Sequence, residues 1–320
     1  MNTESKAETG KAPIPVVNLF GPTAVGKTSL LINLFKARAE IVSADSMQVY
    51  RFMDIGTAKP DAETRRVLPH HLIDIRNPDE QYSSGDFVQE AVSCIRDIAS
   101  RGLLPVVSGG TAFYFKNLVC GLPETPPADS GIRDGLKKEI AVRGRETLYR
   151  ELENFDPGAA SRINAADTYR IIRALEVIRL TGRPLSSFAR NVPSGGPYRF
   201  LSLGVWRERA DLAARIEARV EGMFRKGLEE EVRGLLTKGY GPEDPGLRGI
   251  GYAEFLNLRN RGCLTFAEVK QAVIHHSRQY AKRQTAFFRS LPEVVWIHAE
   301  EEDRILRTVD GFLQGADCTS

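Results

Sequence analysis

Short apolar runs alternate with amphipathic stretches over the first third of the chain. Between Ser84 and Gly102 the apolar side chains recur at helical spacing, which predicts a helix, and another helix is expected over 29–36. Four short apolar runs predict buried strands at 15–20, 41–44, 72–75 and 104–107. Strands that alternate with helices are typical of a parallel sheet flanked by helices, so we predict an α/β fold.

The pattern changes after residue 121. Prolines interrupt 122–129, and the segment 132–190 has helical periodicity without a strand-like run. The alternation of short apolar runs and amphipathic stretches then returns. It predicts strands at 198–205 and 293–297 and helices at 210–226 and 265–288.

The last of these helices has a clear N-terminal signature. Thr265 and Glu268 form a capping box, and Leu264 and Val269 a hydrophobic staple. A helical segment between two strand-bearing regions indicates an insertion into a discontinuous core. We predict a core domain in two parts, residues 13–130 and 198–315. A helical insertion domain, residues 131–197, lies between these parts.

Composition sets only broad limits on function. A net charge of +3 over 320 residues is too small to indicate a nucleic-acid partner by itself. No apolar run approaches the roughly 20 residues that cross a bilayer, and the first eleven residues are polar. We therefore expect a cytoplasmic protein without membrane association, and a monomer. The four cysteines are far apart in the sequence, which indicates neither a zinc site nor a disulfide framework.

A phosphate-binding loop follows the first predicted strand. Residues 21–28 match the pattern G-x-x-x-x-G-K-[ST], directly before the helix at 29–36. In such a loop, common in ATP-binding proteins, backbone N–H groups and the helix N-terminus converge on phosphate oxygens. Lys27 would add a positive charge, and the Thr28 hydroxyl would bind Mg²⁺. The predicted phosphate-binding residues are Gly21, Pro22, Thr23, Ala24, Val25, Gly26, Lys27 and Thr28.

Two acidic residues are associated with predicted strands of the same sheet. Asp45 follows 41–44 at the edge where parallel strands meet a ligand, so we expect it near the phosphates. It could bind Mg²⁺, act as a general base or cap the backbone of residues 46–48, and the residues alone leave these alternatives open. Asp74 is either the second acidic group that a kinase needs or another cap.

The predicted strand at 104–107 leads into Ser108-Gly109-Gly110-Thr111. Paired glycines let a backbone approach a substrate closely, with Thr111 free to form a hydrogen bond. They are equally ordinary in a tight turn between a strand and a helix. Both interpretations stay open at this point.

Basic side chains gather in the helical insertion and in the last long helix. The insertion carries Arg170, Arg173 and Arg179, and no acidic residue lies between Glu268 and Glu293. The last long helix and its end combine basic and aromatic side chains: Arg278, Lys282, Arg283, Arg289, Tyr280, Phe287 and Phe288. Basic groups that bind phosphates and flat groups that stack on bases favour an RNA partner, although both phenylalanines also suit a core.

Taken together, these segments resemble the tRNA dimethylallyltransferases, from Val16 to about Arg289. Besides the phosphate loop, the resemblance rests on residues 43–50, 54–60, 69–74, 109–111, 170–177, 181–184, 249–252 and 281–284. A generic P-loop kinase is not expected to carry Gly56-Thr57-Ala58-Lys59-Pro60 together with the C-terminal segments. The resemblance implies a P-loop NTPase-like parallel sheet with a helical insertion domain.

The resemblance also implies a reaction. A dimethylallyl group would pass from dimethylallyl diphosphate to N6 of adenosine 37, 3′ to the anticodon, in tRNAs that read codons beginning with U. Lys27, Thr28 and Mg²⁺ would hold the diphosphate as it leaves. The implied catalytic residues are Asp45, which takes the proton of the amino group, Thr111 near the reacting atoms, and Arg215, which clamps the diphosphate. A solvated helix face is the alternative for Arg215.

The adenosine must leave its stack to react, so the resemblance implies a grip on the anticodon stem-loop, in part by the insertion domain. The positions that match tRNA-contacting residues of the family are Asp45, Ser46, Met47, Gln48, Thr111, Arg133, Tyr169, Arg170, Arg173, Arg248, Gly251, Tyr252, Lys282, Arg283, Gln284 and Arg289. Three alternatives remain: a kinase that uses ATP at the same loop, a non-catalytic RNA-binding protein, and a transferase that acts on free adenylate. The basic helices argue against the last.

Overall fold

The computed structural model, which describes residues 12–188, 197–259 and 265–315, contains a six-stranded sheet. Its strands are β1 (Ile14–Phe20), β2 (Ala39–Ser43), β3 (His70–His71), β4 (Leu104–Gly109), β5 (Tyr198–Trp206) and β6 (Val294–His298). Every neighbouring pair is parallel, in the order β3-β2-β4-β1-β5-β6. The predicted α/β fold with a parallel sheet is therefore confirmed.

Helices follow most of the strands. Within the described residues they are α1 (Lys27–Phe35), α2 (Ala62–Val67), α3 (Ser84–Ser100), α4 (Ala112–Cys120), α5 (Ser130–Arg143), α6 (Arg145–Phe155), α7 (Pro157–Ala160), α8 (Thr168–Thr181), α9 (Arg209–Arg225), α10 (Leu228–Thr237), α11 (Ala253–Arg259), α12 (Phe266–Phe288) and α13 (Glu302–Leu313). Single 3₁₀ turns occur at Leu185–Ser187 and Gly246–Arg248. In the part of the chain that the structure describes, no helix is long and apolar enough to cross a membrane.

The chain divides into two compact units. The first is Met1–Val119 with Gly195–Ser320, and the second is Cys120–Ser194. The proline-rich segment 122–129 belongs to the second unit, because Arg173 of α8 donates to Thr125 Oγ1 at 3.1 Å and to the Pro126 carbonyl at 2.7 Å. Residues 191–196, which precede the strand predicted at 198–205, lie outside the described residues, as does Leu264 of the expected staple.

The first unit packs helices on both faces of its sheet, which explains why its central strands are uninterrupted apolar runs. On one face the Phe20 ring of β1 stacks on Phe288 of α12 at 4.6 Å and meets Phe115 of α4 at 4.9 Å. On the other face, residues of α1 and α13 such as Phe35 and Ile305 complete the core. The capping box of Thr265 and Glu268 forms as predicted and starts α12.

Two predictions of secondary structure need correction. The strand predicted at 72–75 is wrong: the pairing strand is His70–His71, and Leu72 and Asp74 have φ angles of 63° and 58°. Left-handed backbone at two positions turns the chain out of the sheet. Helix α13 was not predicted, although Ile305, Val309 and Phe312 repeat at helical spacing and are buried.

The second unit has a small core of its own. Helices α5, α6 and α8 contribute buried residues to it, including Leu136, Leu148, Leu152, Ile171 and Leu175. Among the described residues of this unit there is no strand, in agreement with the helical pattern of the sequence.

Candidate active site

A cavity of about 480 Å³ lies at the carboxyl ends of β1, β2 and β4, entirely within the first unit. Its walls include Asp45 and part of the phosphate loop (residues 21–28), namely Thr23, Ala24, Gly26, Lys27 and Thr28. Helices α9 and α12 contribute Arg219, Tyr280 and Arg283. This position, beyond the ends of parallel strands, is where open α/β sheets usually bind ligands.

The phosphate loop has the backbone that anion binding requires. Gly26 has a φ of 107° and precedes α1, which begins without a side-chain cap. The first N–H groups of α1 therefore remain available to an anion. A Cβ on Gly21 would lie 2.5 Å from the Val205 carbonyl oxygen of β5, so only glycine fits where the loop leaves the sheet. The Lys27 ammonium donates to the carbonyls of Gly21 at 2.9 Å and Pro22 at 3.0 Å.

Two positive charges and one negative charge influence each other at the cavity wall. Burial, the nearby Arg219 guanidinium and, in the opposite sense, Asp45 together lower the pKa of Lys27 to about 8. Burial also lowers the pKa of Arg219, against the influence of Asp45. An anion beside Lys27 and Arg219 would relieve the repulsion between them, so the site suits a negatively charged ligand.

Arg219, and not the predicted Arg215, is the arginine of α9 that lines the cavity. Arg215 is exposed, its Nε donates to Asp211 at 3.0 Å, and it is not part of the cavity wall. Arg219 lies one turn later on α9 and lines the cavity. Arg215 thus has the solvated helix position that was its alternative. The sequence signal for Arg219 was its four-residue spacing from Arg215, but spacing alone does not show which arginine is covered.

Asp45 and Thr111 are held by neighbouring loops. Asp45 Oδ1 accepts hydrogen bonds from Met47 N at 2.9 Å and Gln48 N at 3.3 Å, so the capping role is real. Oδ2 accepts none from any described residue and remains available for chemistry. Thr111 Oγ1 accepts from Ser46 N at 2.9 Å and donates to Ser46 Oγ at 3.2 Å. These contacts fix the Asp45 backbone at the wall of the cavity.

The glycine pair after β4 is explained by packing within the protein. A Cβ on Gly109 would lie 2.1 Å from the Ala44 carbonyl oxygen, and one on Gly110 would lie 2.4 Å from Gln284 Nε2. Gln284 donates to the Gly110 carbonyl at 2.7 Å and accepts from Thr23 N at 2.8 Å. It therefore braces the phosphate loop against the end of β4. Both ends of its buried amide are engaged within the protein, and its contact with tRNA stays a prediction.

Two further residues predicted to contact tRNA are buried. Tyr252 is 0% exposed, and its hydroxyl donates to Glu231 Oε1 at 2.6 Å. A Cβ on Gly56 would lie 2.5 Å from its ring, so the glycine makes room for it. Gly251 N donates to the buried Glu254 at 2.7 Å. Both residues pack against the loop at 54–60, and Tyr252 also lines the cavity. Their contact with tRNA stays a prediction.

Other predicted tRNA-binding residues of the first unit are accessible. Lys282 and Arg283 of α12 and Arg289, which directly follows this helix, are exposed, and none has an acidic partner among the described residues. Arg283 and Arg248 also reach the cavity wall. Ser46, Met47 and Gln48 line the same wall, with Gln48 Oε1 accepting from Ser43 Oγ at 3.2 Å and Met47 packed against Gly249.

The four predicted tRNA-binding residues of the second unit fall into two pairs. Arg133 and Arg173 bind the fully buried Glu176 at 3.0 and 2.7 Å, so their charges compensate an internal carboxylate. Tyr169 and Arg170 are exposed at the start of α8. Arg170 pairs with Asp167 at 3.1 Å, and the Tyr169 ring lies 6.0 Å from the Arg133 guanidinium, but both side chains stay largely exposed.

The cavity supplies only some of the oxygen ligands that Mg²⁺ requires. No group of three or more His, Cys, Asp or Glu that could hold a metal occurs in the described ranges. The exposed Thr28 hydroxyl has no partner among them, and it shares the cavity wall with Asp45. Because Mg²⁺ is commonly held by one or two protein oxygens together with substrate phosphates, this donor set fits the ion when a diphosphate is bound.

Similarity to known proteins extends over nearly the whole chain. Residues 48–291 match the model of a family described as IPP transferase. The tRNA dimethylallyltransferase of Geobacter metallireducens is 45% identical over 295 residues, which cover 91% of this chain and 95% of that protein. The tRNA dimethylallyltransferase of Borreliella burgdorferi is 38% identical, with 92% and 96% covered. The crystal structure of the tRNA isopentenylpyrophosphate transferase of Bacillus halodurans superposes with a TM-score of 0.68 at 36% identity, covering 94% and 96%.

Proposed function

Because the chain belongs to the IPP transferase family, we propose that it transfers a dimethylallyl group from dimethylallyl diphosphate to N6 of adenosine 37 of tRNA. The chain is a tRNA prenyltransferase and not a small-molecule kinase. The observation that carries the proposal is one cavity in which Lys27 and Arg219 stand beside the Asp45 carboxylate. The cationic wall suits a diphosphate, and the carboxylate suits a proton acceptor.

In the proposed step, the bond between the prenyl C1 and the diphosphate oxygen breaks while a bond between C1 and adenine N6 forms. Lys27, Arg219 and the N–H groups of the phosphate loop stabilise the negative charge that develops on the leaving diphosphate. Asp45 accepts the proton that N6 loses, so the products are the prenylated adenosine and diphosphate. Mg²⁺, held by Thr28 and the diphosphate, would neutralise part of the leaving group's charge.

The exposed cations supply the grip on tRNA. Unneutralised or weakly paired charges are offered to phosphates by Lys282 and Arg283 on α12, by Arg289 just after it, and by Arg248. On the second unit, Tyr169 and Arg170 are the residues with accessible side chains. We also propose that the protein acts in the cytoplasm and as a monomer.

The test is transfer of label to RNA in the absence of ATP. The protein is incubated with Mg²⁺, unmodified tRNA and dimethylallyl diphosphate labelled in the prenyl group. We expect label in the tRNA, confined to adenosine 37, and release of diphosphate. The proposal is wrong if the RNA stays unlabelled while ATP supports phosphorylation of an acceptor. A free adenylate that takes up label faster than tRNA would instead identify an adenylate transferase.

A further inference from the structure

A small aromatic cluster beside the active site takes no part in the function proposed so far. Phe113, the second residue of α4, is 48% exposed, whereas its neighbours Ala112 and Tyr114 are buried. Its ring meets the ring of Phe287 of α12 edge-on, with centroids 6.5 Å apart at 85°. The Lys116 ammonium lies 5.7 Å from the Phe287 ring centroid. We call Phe113, Phe287 and Lys116 the aromatic platform.

The aromatic platform lies next to the cavity along two separate elements. On α4 it begins three residues after Gly110, which lines the cavity. On α12, Phe287 follows Arg283 by four residues, and residues at this spacing share a helix face. Arg283 lines the cavity as well. Two independent connections thus put the platform within about one helical turn of the site.

The charge around the platform is positive and unneutralised. Lys116 has no acidic partner among the described residues. The same is true of Lys282 and Arg283 near the end of α12 and of Arg289, which directly follows this helix. A single exposed phenylalanine is common on protein surfaces and by itself indicates nothing. An exposed ring that is bordered by free cations has the two features that hold single-stranded nucleic acid: a stacking surface and groups that bind phosphates.

We propose that the aromatic platform stacks one base of the tRNA anticodon loop other than the adenosine that is prenylated. The base would lie on the exposed Phe113 ring, with Phe287 as its edge-on support and Lys116 and Arg283 on the flanking phosphates. Holding a neighbouring base outside the helical stack would lower the cost of moving the target adenosine into the cavity. The inference rests on the proposed function, because it takes tRNA as the ligand.

The experiment measures binding of an anticodon stem-loop RNA to the full chain as a function of salt. We expect Phe113→Ala to raise Kd about tenfold, since loss of base stacking is worth roughly that factor. The slope of log Kd against log salt should not change, because no phosphate contact is lost. Phe113→Trp should bind within about twofold of wild type. Arg283→Ala should lower the slope by about one, as expected for a phosphate contact.

The matched control is Phe266→Ala at the other end of α12. Phe266 is 51% exposed and also meets another ring edge-on, that of Phe224 at 4.9 Å. It lies about 30 Å from Phe287 along the helix axis, and Glu268 is close to it in the chain. We expect this variant to bind RNA as wild type does. Equal binding by the Phe113 and Phe266 variants, with wild type still prenylating tRNA, would overturn the platform and leave the proposed function intact.

Fluorescence identifies the stacked base. Each loop base other than the target is replaced in turn by 2-aminopurine, and we expect one position to be quenched by wild type and not by Phe113→Ala. A fall in the unfolding temperature of Phe113→Ala would instead assign the ring a structural role and overturn the proposal. So would weaker self-association with unchanged RNA binding, which would make the platform a contact between copies of the chain. Failure of wild type to bind tRNA would count against the proposed function itself.

Discussion

Two loops of the first unit carry sequence motifs of similar specificity but use their polar groups in opposite ways. In the loop at 54–60, the backbone N–H groups of Asp54, Ile55 and Gly56 all donate to Glu231. Lys59, whose side chain is 2% exposed, binds the Tyr50 carbonyl and the carboxylates of Asp54 and Asp74. In the phosphate loop, Thr28 has no partner among the described residues, and the helix that follows has no side-chain cap.

Both loops contribute to the cavity wall, and they differ in how far their polar groups are already paired within the protein. A polar group whose hydrogen bonds are all made inside the protein has little to offer a ligand. A donor or acceptor that is still available beside a cavity can bind one. Asp74 illustrates this point, because Lys59 and Arg65 occupy its two oxygens at 2.6 and 2.9 Å. The structure therefore removes Asp74 from the candidate metal ligands and leaves Asp45, with its unpaired Oδ2, as the acidic group of the site.

The largest expected effect comes from Asp45→Asn, which tests the proposed proton acceptor. The amide keeps an oxygen that can accept from Met47 N, so the cap is preserved while the proton acceptor is lost. We expect the rate of prenyl transfer at saturating substrates to fall about 10³-fold, with the Kd for tRNA unchanged. Single-turnover kinetics and equilibrium binding measure the two quantities. A loss of less than tenfold in rate would leave Asp45 with the capping role only.

The corresponding test of the loop at 54–60, whose polar groups are paired inside the protein, is Lys59→Met. Removing the buried ammonium leaves the Tyr50 carbonyl and two carboxylates without their shared partner. We expect the free energy of unfolding to fall by about 3 kcal/mol, while the folded protein transfers the prenyl group within about threefold of wild type. Denaturant unfolding and activity at low temperature check both parts. The control Lys137→Met removes an exposed pair with Asp134 and should leave unfolding unchanged.

Arg219 and Arg215 allow a group that is available to a ligand to be compared with a paired group on a single helix. Both belong to α9 four residues apart, but Arg219 lines the cavity and Arg215 binds the exposed Asp211. We expect Arg219→Ala to reduce kcat/KM for dimethylallyl diphosphate about 100-fold, and Arg215→Ala to change it by less than about threefold. Steady-state kinetics at saturating tRNA measures the effect. The opposite order would return the diphosphate to Arg215 and contradict the geometry of the cavity.

These residues also show where sequence reasoning succeeds. The buried strands β1 and β4 and the capped helix α12 were predictable because apolar runs and capping boxes are local signals. The phosphate loop was predictable because its spacing is imposed by phosphate geometry. Local signals cannot distinguish Arg219 from Arg215, since the packing of α9 decides which arginine is covered. For the same reason, the match of Gln284 and Tyr252 to tRNA-binding positions could not show that both are also hydrogen-bonded inside the fold.

The smallest predicted effect concerns Glu40 of β2, a third group that is satisfied inside the scaffold. Hydrogen bonds from Arg101 and His71, the latter at 2.7 Å, lower the pKa of Glu40 from its usual 4.5 to about 2 despite its burial. A depressed pKa stabilises the fold fully above pH 4.5, and the contribution is lost as pH falls toward 2.

Because Arg101 is partly exposed, we expect Glu40→Gln to lower the free energy of unfolding by only about 1–2 kcal/mol at pH 6. The difference from wild type should shrink steadily between pH 4.5 and pH 2, as protonation of Glu40 makes the wild-type side chain neutral too. Denaturant unfolding at a series of pH values measures it. Prenyl transfer at pH 7 should not change, because Glu40 is not part of the cavity wall. A pH-independent difference would mean that the glutamine disturbs packing and that the charge of Glu40 contributes nothing.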